Sequence, residues 1–147
     1  MESRAKGGGP KAWREINAGG PKAGREMELL LKELVTYPEL NWVLGPGKAV
    51  AEGKTDPARV KLSVENGWAT VEMAEWHYHL ALTEITRVKF VESETSKGKP
   101  SRSVHLVNAA GDALLRVYFS KLVDAAGAVD AEKLARFEAL RGRFDRP

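Results

Sequence analysis

The sequence has no cysteine, which excludes disulfide bridges and thiolate metal sites. It has no uninterrupted apolar run approaching the roughly 20 residues that a membrane-spanning helix needs. The first residues carry no apolar stretch of the kind that marks a cleaved export signal. These absences lead us to expect a cytoplasmic protein with no membrane insertion. Two common reaction motifs are also missing. There is no Gly-x-Ser-x-Gly elbow and no phosphate-cradling P-loop, and Gly7-Gly8-Gly9 follows no apolar strand pattern. Charge of one sign is scarce outside one segment. The net charge is +3, but residues 1–26 hold six Lys/Arg against three Asp/Glu, whereas residues 27–147 hold seventeen of each. The body of the chain is neutral overall, so a phosphate-backbone footprint, and with it nucleic-acid binding, is not expected.

What is present is ordinary for a globular protein: 147 residues, 43% hydrophobic and 29% charged, enough for one domain with a core. Composition divides the chain near Met27. Residues 1–26 are rich in Gly, Lys, Arg and Ala and contain a near repeat. Gly8-Gly9-Pro10-Lys11-Ala12-Trp13-Arg14-Glu15-Ile16 returns eleven residues later as Gly19-Gly20-Pro21-Lys22-Ala23-Gly24-Arg25-Glu26-Met27. A segment with so little apolar surface cannot offset its ordering entropy. It is expected to be a disordered basic leader, with Met27 as a natural start and a functional basic arm as the alternative. Residues 27–147 are expected to form a single domain.

From Met27 the pattern becomes periodic. Met27, Leu30, Leu31 and Leu34 follow helical spacing and stop ahead of Tyr37-Pro38. Gly45-Pro46-Gly47 marks a turn, and short strands are expected near 48–53, 59–64 and 68–73. Asn66-Gly67 joins the last two as a hairpin. Further strands are expected at 76–82, 87–92, 103–107 and 114–119. A polar, basic loop is expected at 97–102 and a turn at 108–112. A last helix over 130–141, capped by Asp130, carries Leu134, Phe137 and Leu140 or Ala139 on its apolar stripe. Short links between successive strands predict antiparallel pairing. The expected class is α+β: a largely antiparallel meander sheet flanked by N- and C-terminal helices.

The chemistry concentrates in Glu75-Trp76-His77-Tyr78-His79-Leu80-Ala81-Leu82, which holds two of the three histidines. In a strand, Trp76, Tyr78, Leu80 and Leu82 share one face, and His77, His79 and Ala81 share the other. Imidazole is the commonest side-chain metal ligand and also binds haem iron. The bland alternative is a polar strand face. Neighbouring in-line imidazoles sit about 6.6 Å apart at the usual strand rise, too far to bind one iron side by side, so one would ligate and the other support it, or each would face a different partner. A divalent-metal enzyme of small-barrel, cupin-like type would need further ligands, for which His105 with Glu72 or Glu75 are the candidates.

Three stretches resemble a known family. These are Trp76-His77-Tyr78-His79-Leu80-Ala81-Leu82 followed by Ile85 and Val88; Val107-Asn108-Ala109-Ala110-Gly111-Asp112 followed by Leu115-Arg116-Val117-Tyr118-Phe119; and Leu134-Ala135-Arg136-Phe137-Glu138-Ala139-Leu140-Arg141. Together they resemble the intracellular haem-utilisation proteins of the HutX/ChuX type, relatives of the domains repeated in HemS-type hemin-degrading factors. The resemblance implies the HemS/ChuX-like fold, a b-type haem as cofactor, and haem carriage, storage or trafficking in iron acquisition. It also implies a homodimer and a haem donor or acceptor protein as partner. It places His77 and His79 on the family's paired histidines. The family's second histidine position falls near Ser103, and His105, two residues on, keeps the same strand face. Met73, Val71 and Ala81 would line an apolar face, and Arg87, Lys89, Lys97, Lys99 and Arg102 would offer cations to the propionates. No independent catalytic group is evident. A member of this fold that has lost haem and serves as an interaction domain is the remaining alternative.

Overall fold

The computed structural model describes residues 10–15 and 21–144. The elements run β1 (Pro10–Glu15), α1 (Pro21–Leu34), β2 (Leu40–Leu44), β3 (Ala51–Lys54), β4 (Lys61–Glu65), β5 (Trp68–Glu72) and β6 (His77–Ala81). A single 3-10 turn (Leu82–Glu84) leads to β7 (Arg87–Glu94), β8 (Pro100–Val107), β9 (Ala113–Phe119) and α2 (Ala131–Phe144). The class is α+β, as the spacing predicts. The strands divide between two antiparallel sheets: one of six strands, ordered β1-β7-β8-β9-β2-β3, and one of three, ordered β4-β5-β6.

The expected leader is not of one kind. Its residues 10–15 form β1, which pairs with β7, and α1 starts at Pro21 rather than Met27. Proline suits a first helical position, where an amide proton has no partner to lose. Residues 1–9 and 16–20 lie outside the described residues, so disorder there stays an expectation. Two further differences concern strands. β2 was not expected, and β8 begins at Pro100, three residues before the expected start.

α1 buries Met27, Leu30, Leu31 and Leu34, the stripe that three-to-four spacing aligns on one helix face. α2 buries Phe137, Leu140 and Phe144. Its Asp130 cap is in place, since Oδ1 accepts from the amides of Glu132 and Lys133 at 3.1 Å each. Phe137 meets Phe90 of β7 and Phe119 of β9 with ring centroids 6.1 and 5.5 Å apart. The helix therefore covers the inner face of the six-stranded sheet.

Two contacts tie the small sheet to the large one. Trp42 of β2 and Tyr78 of β6 meet with centroids 6.1 Å apart, inside one continuous core. Trp76, just ahead of β6, packs on the backbone of β3 at Gly53, where an added Cβ would come within 2.1 Å of the indole. Only glycine admits so close an approach. The Asn66-Gly67 hairpin has φ of 53° and 81° at its two loop residues, the left-handed pair that a tight two-residue connection requires. That turn sets the register of β4 on β5, and so decides what stands beside the histidine strand.

Candidate functional site

β6 alternates as its sequence predicts. Tyr78 and Leu80 are buried, while His77 and His79 are exposed. The pairing of β5 with β6 sets Glu72 opposite His77, Thr70 opposite His79 and Trp68 opposite Ala81. One strand further out, β4 adds Lys61, Ser63 and Glu65 in the same three rows. The outward face of the small sheet thus carries two imidazoles, a hydroxyl row and one large aromatic. Trp68 keeps 52% of its surface exposed.

The two imidazoles are not equivalent. Their ring centroids lie 5.2 Å apart, edge to face at 73°. His79 Nδ1 is 2.9 Å from Thr70 Oγ1, a hydrogen bond within the small sheet. His77 has no such side-chain partner among the described residues. Beneath the pair, the Tyr78 hydroxyl is buried with no hydrogen-bond partner among the described residues, and burial drives its pKa far above the phenol range. Val71 is buried on the other face of β5, and Met73 packs against the core cluster. Strand alternation therefore turns Val71 inward, away from the histidine face. Ala81 does share that face.

His105 belongs to a different surface. Val104 and Leu106 point into the core, which turns His105 to the outer face of the six-stranded sheet. There it stands between Lys89 and Arg116 in one cross-strand row. Ser103 Oγ lies 3.0 Å from His105 Nε2, and the Tyr118 ring is 6.1 Å away. Burial, and then the positive charges of Lys89 and Arg116, push the imidazole pKa down to about 4. His105 is therefore a neutral imidazole near neutral pH.

The two basic candidates diverge. Lys99 is exposed in the β7–β8 turn, where its amide donates to Thr95 Oγ1 at 3.1 Å. Arg102 shares its strand face with Val104, opposite to His105. Its Nε lies 3.9 Å from a Glu92 carboxylate oxygen, which also receives Arg141 of α2 at 3.3 Å. No hydrogen bond, ion pair or ring contact among the described residues joins Lys99, Arg102 or His105 to His77 or His79. Nor do the described residues contain a group of three or more His, Asp or Glu placed to hold a metal ion, so Glu72 or Glu75 with His105 does not complete a zinc-type set around the pair.

Sequence reasoning missed Thr70 and Trp68. The signal for both was present: the Asn66-Gly67 hairpin, followed by a four-residue turn 73–76, fixes which β5 residues face β6.

The solved structure of the haem-binding protein ChuX superposes with a TM-score of 0.68 at 13% identity, covering 84% of this chain and 75% of ChuX. A protein-family model matches residues 28–144, most of the chain. The chain belongs to the HutX/ChuX-type haem-utilisation family. Two further structures show the spread of this HutX/ChuX-type fold. A protein from Agrobacterium tumefaciens matches at 20% identity and a TM-score of 0.68, over 90% of this chain and 70% of its own. The haem-loaded form of PhuS, a haem-binding protein from Pseudomonas aeruginosa, matches at 13% identity and a TM-score of 0.65. That match covers 89% of this chain but only 35% of PhuS. No curated protein matches the sequence. At such identities the structural likeness is one of fold, and the HutX/ChuX-type chain described here carries its own set of side chains on the sheet faces.

Proposed function

We propose that this protein binds a b-type haem and carries or passes it on within the cytoplasm. What supports this is membership of a haem-utilisation family, together with two imidazoles, His77 and His79, on one sheet face. The donor set fits the group. Haem iron accepts an axial imidazole, and His77 and His79 each present one to solvent, beside an exposed indole whose flat face suits a porphyrin. Bound haem would supply a Lewis-acidic iron. What the chain supplies is the axial donor, an apolar contact at Trp68 and Ala81, and polar groups around them. The divalent-metal enzyme is not favoured, since the described residues offer no third ligand. A homodimer and a protein that donates or accepts the haem belong to the same proposal.

Hemin titrated into the full-length protein is expected to give a saturable, red-shifted Soret band with one equivalent per chain. The band is expected to be lost on His77→Ala/His79→Ala double substitution. Light scattering is expected to give the mass of two chains. Absence of a saturable band from the wild-type protein would reject the reading in favour of the haem-less member of the fold. Stoichiometric zinc or nickel without haem would reject it in favour of the metal enzyme.

A further inference from the structure

We propose that Thr70 is a positioning residue for His79, and that this makes His79, through Nε2, the iron ligand of the pair. The inference rests on the haem reading above. Thr70 Oγ1 lies 2.9 Å from His79 Nδ1, and the two residues are direct partners across β5 and β6. A hydroxyl can donate or accept. Once a metal takes Nε2, the remaining proton must sit on Nδ1, and Thr70 Oγ1 becomes its acceptor. The hydrogen bond then holds the ring plane, fixes the tautomer and raises the basicity of the ligating nitrogen. The ring is already held at Nδ1 before haem arrives, so less rotamer freedom is lost on binding. His77 lacks this arrangement. The residue across from it is Glu72, no hydrogen bond joins the two, and its ring contact is with His79 itself.

The test uses the full chain, hemin, and the variants His79→Ala, His77→Ala, Thr70→Val and Thr70→Ser. Valine has the shape of threonine and suits a strand, so Thr70→Val removes the acceptor and leaves the fold. His79→Ala is expected to lose the Soret band, and His77→Ala to keep it. Thr70→Val is expected to bind hemin about five- to tenfold more weakly and to shift the ferric/ferrous midpoint potential to more positive values. Thr70→Ser is expected to restore both. A Thr70→Val protein with wild-type affinity and wild-type potential would overturn the positioning role while leaving haem binding in place. Retention of the band by His79→Ala and its loss in His77→Ala would overturn the proposal by exchanging the ligand. Failure of the wild-type protein to take up hemin would remove the haem reading, and this proposal with it.

Discussion

Among single residues, His105 departs furthest from ordinary behaviour. Its imidazole is half-buried between Lys89 and Arg116, and burial followed by those two charges lowers its pKa from 6.5 to about 4. Above the ordinary imidazole range, folded and unfolded chains both keep it neutral, and it adds no pH dependence. Between about 6.5 and about 4 the unfolded chain takes a proton that the folded chain refuses. Stability therefore falls as the pH falls, by about 1.4 kcal/mol per pH unit and at most about 3 kcal/mol. Urea unfolding at about pH 7 and about pH 4.5 checks this. The wild-type protein is expected to lose roughly 2 kcal/mol more than His105→Gln across that interval. Equal losses would mean that the folded protein protonates His105 freely. Composition gave no warning of this residue's state. The strand and the neighbouring positive charges were legible, but their assembly into one row depends on the β7–β8–β9 register.

At the level of elements, the decisive contact is between Trp76 and the backbone of β3. Gly53 lies under the indole so closely that a methyl group cannot enter without displacing it. Gly53→Ala is expected to destabilise the protein by about 1–3 kcal/mol, as overpacking generally does. In a Trp76→Ala background the same change should cost less than about 0.5 kcal/mol, since the obstruction is gone. A double-mutant cycle from urea unfolding measures the coupling, and additive effects would show that the indole does not rest on Gly53. The same elements show what the sequence could and could not reveal. β4, β5 and β6 were legible because Asn66-Gly67 and strict alternation fix them. β2 was not, because Leu40-Asn41-Trp42-Val43-Leu44 is buried as Leu40, Trp42 and Val43 with no period of two. β1 was hidden by its composition, and its strand conformation comes from pairing with β7. Arg102 was grouped with the basic loop by proximity. Strand alternation from Pro100 instead turns it toward Glu92 of β7, whose carboxylate Arg141 of α2 also reaches.

Across the whole molecule, the candidate haem face depends on how the small sheet is held to the large one. The α+β class and the face shared by His77 and His79 followed from periodicity. That there are two sheets with one core did not, since nothing local marks Trp42 and Tyr78 as partners. The join has a polar anchor. Trp42 Nε1 donates to Thr55 Oγ1 at 3.0 Å, and that hydroxyl reaches the Leu40 carbonyl at 3.5 Å. Thr55 is 6% exposed and Trp42 fully buried. Replacing Thr55 with valine keeps the shape and leaves the indole N–H without a partner in a dry interior, which costs about 1–3 kcal/mol. Because Trp42 packs on Tyr78, between the two candidate ligands in sequence, the loss should be felt by both sheets together. Amide hydrogen exchange is expected to show β5–β6 and β8–β9 losing protection by the same free energy in Thr55→Val. Loss confined to β2 and β3, with the small sheet unchanged, would mean that the two sheets open independently and that the histidine face does not depend on this anchor.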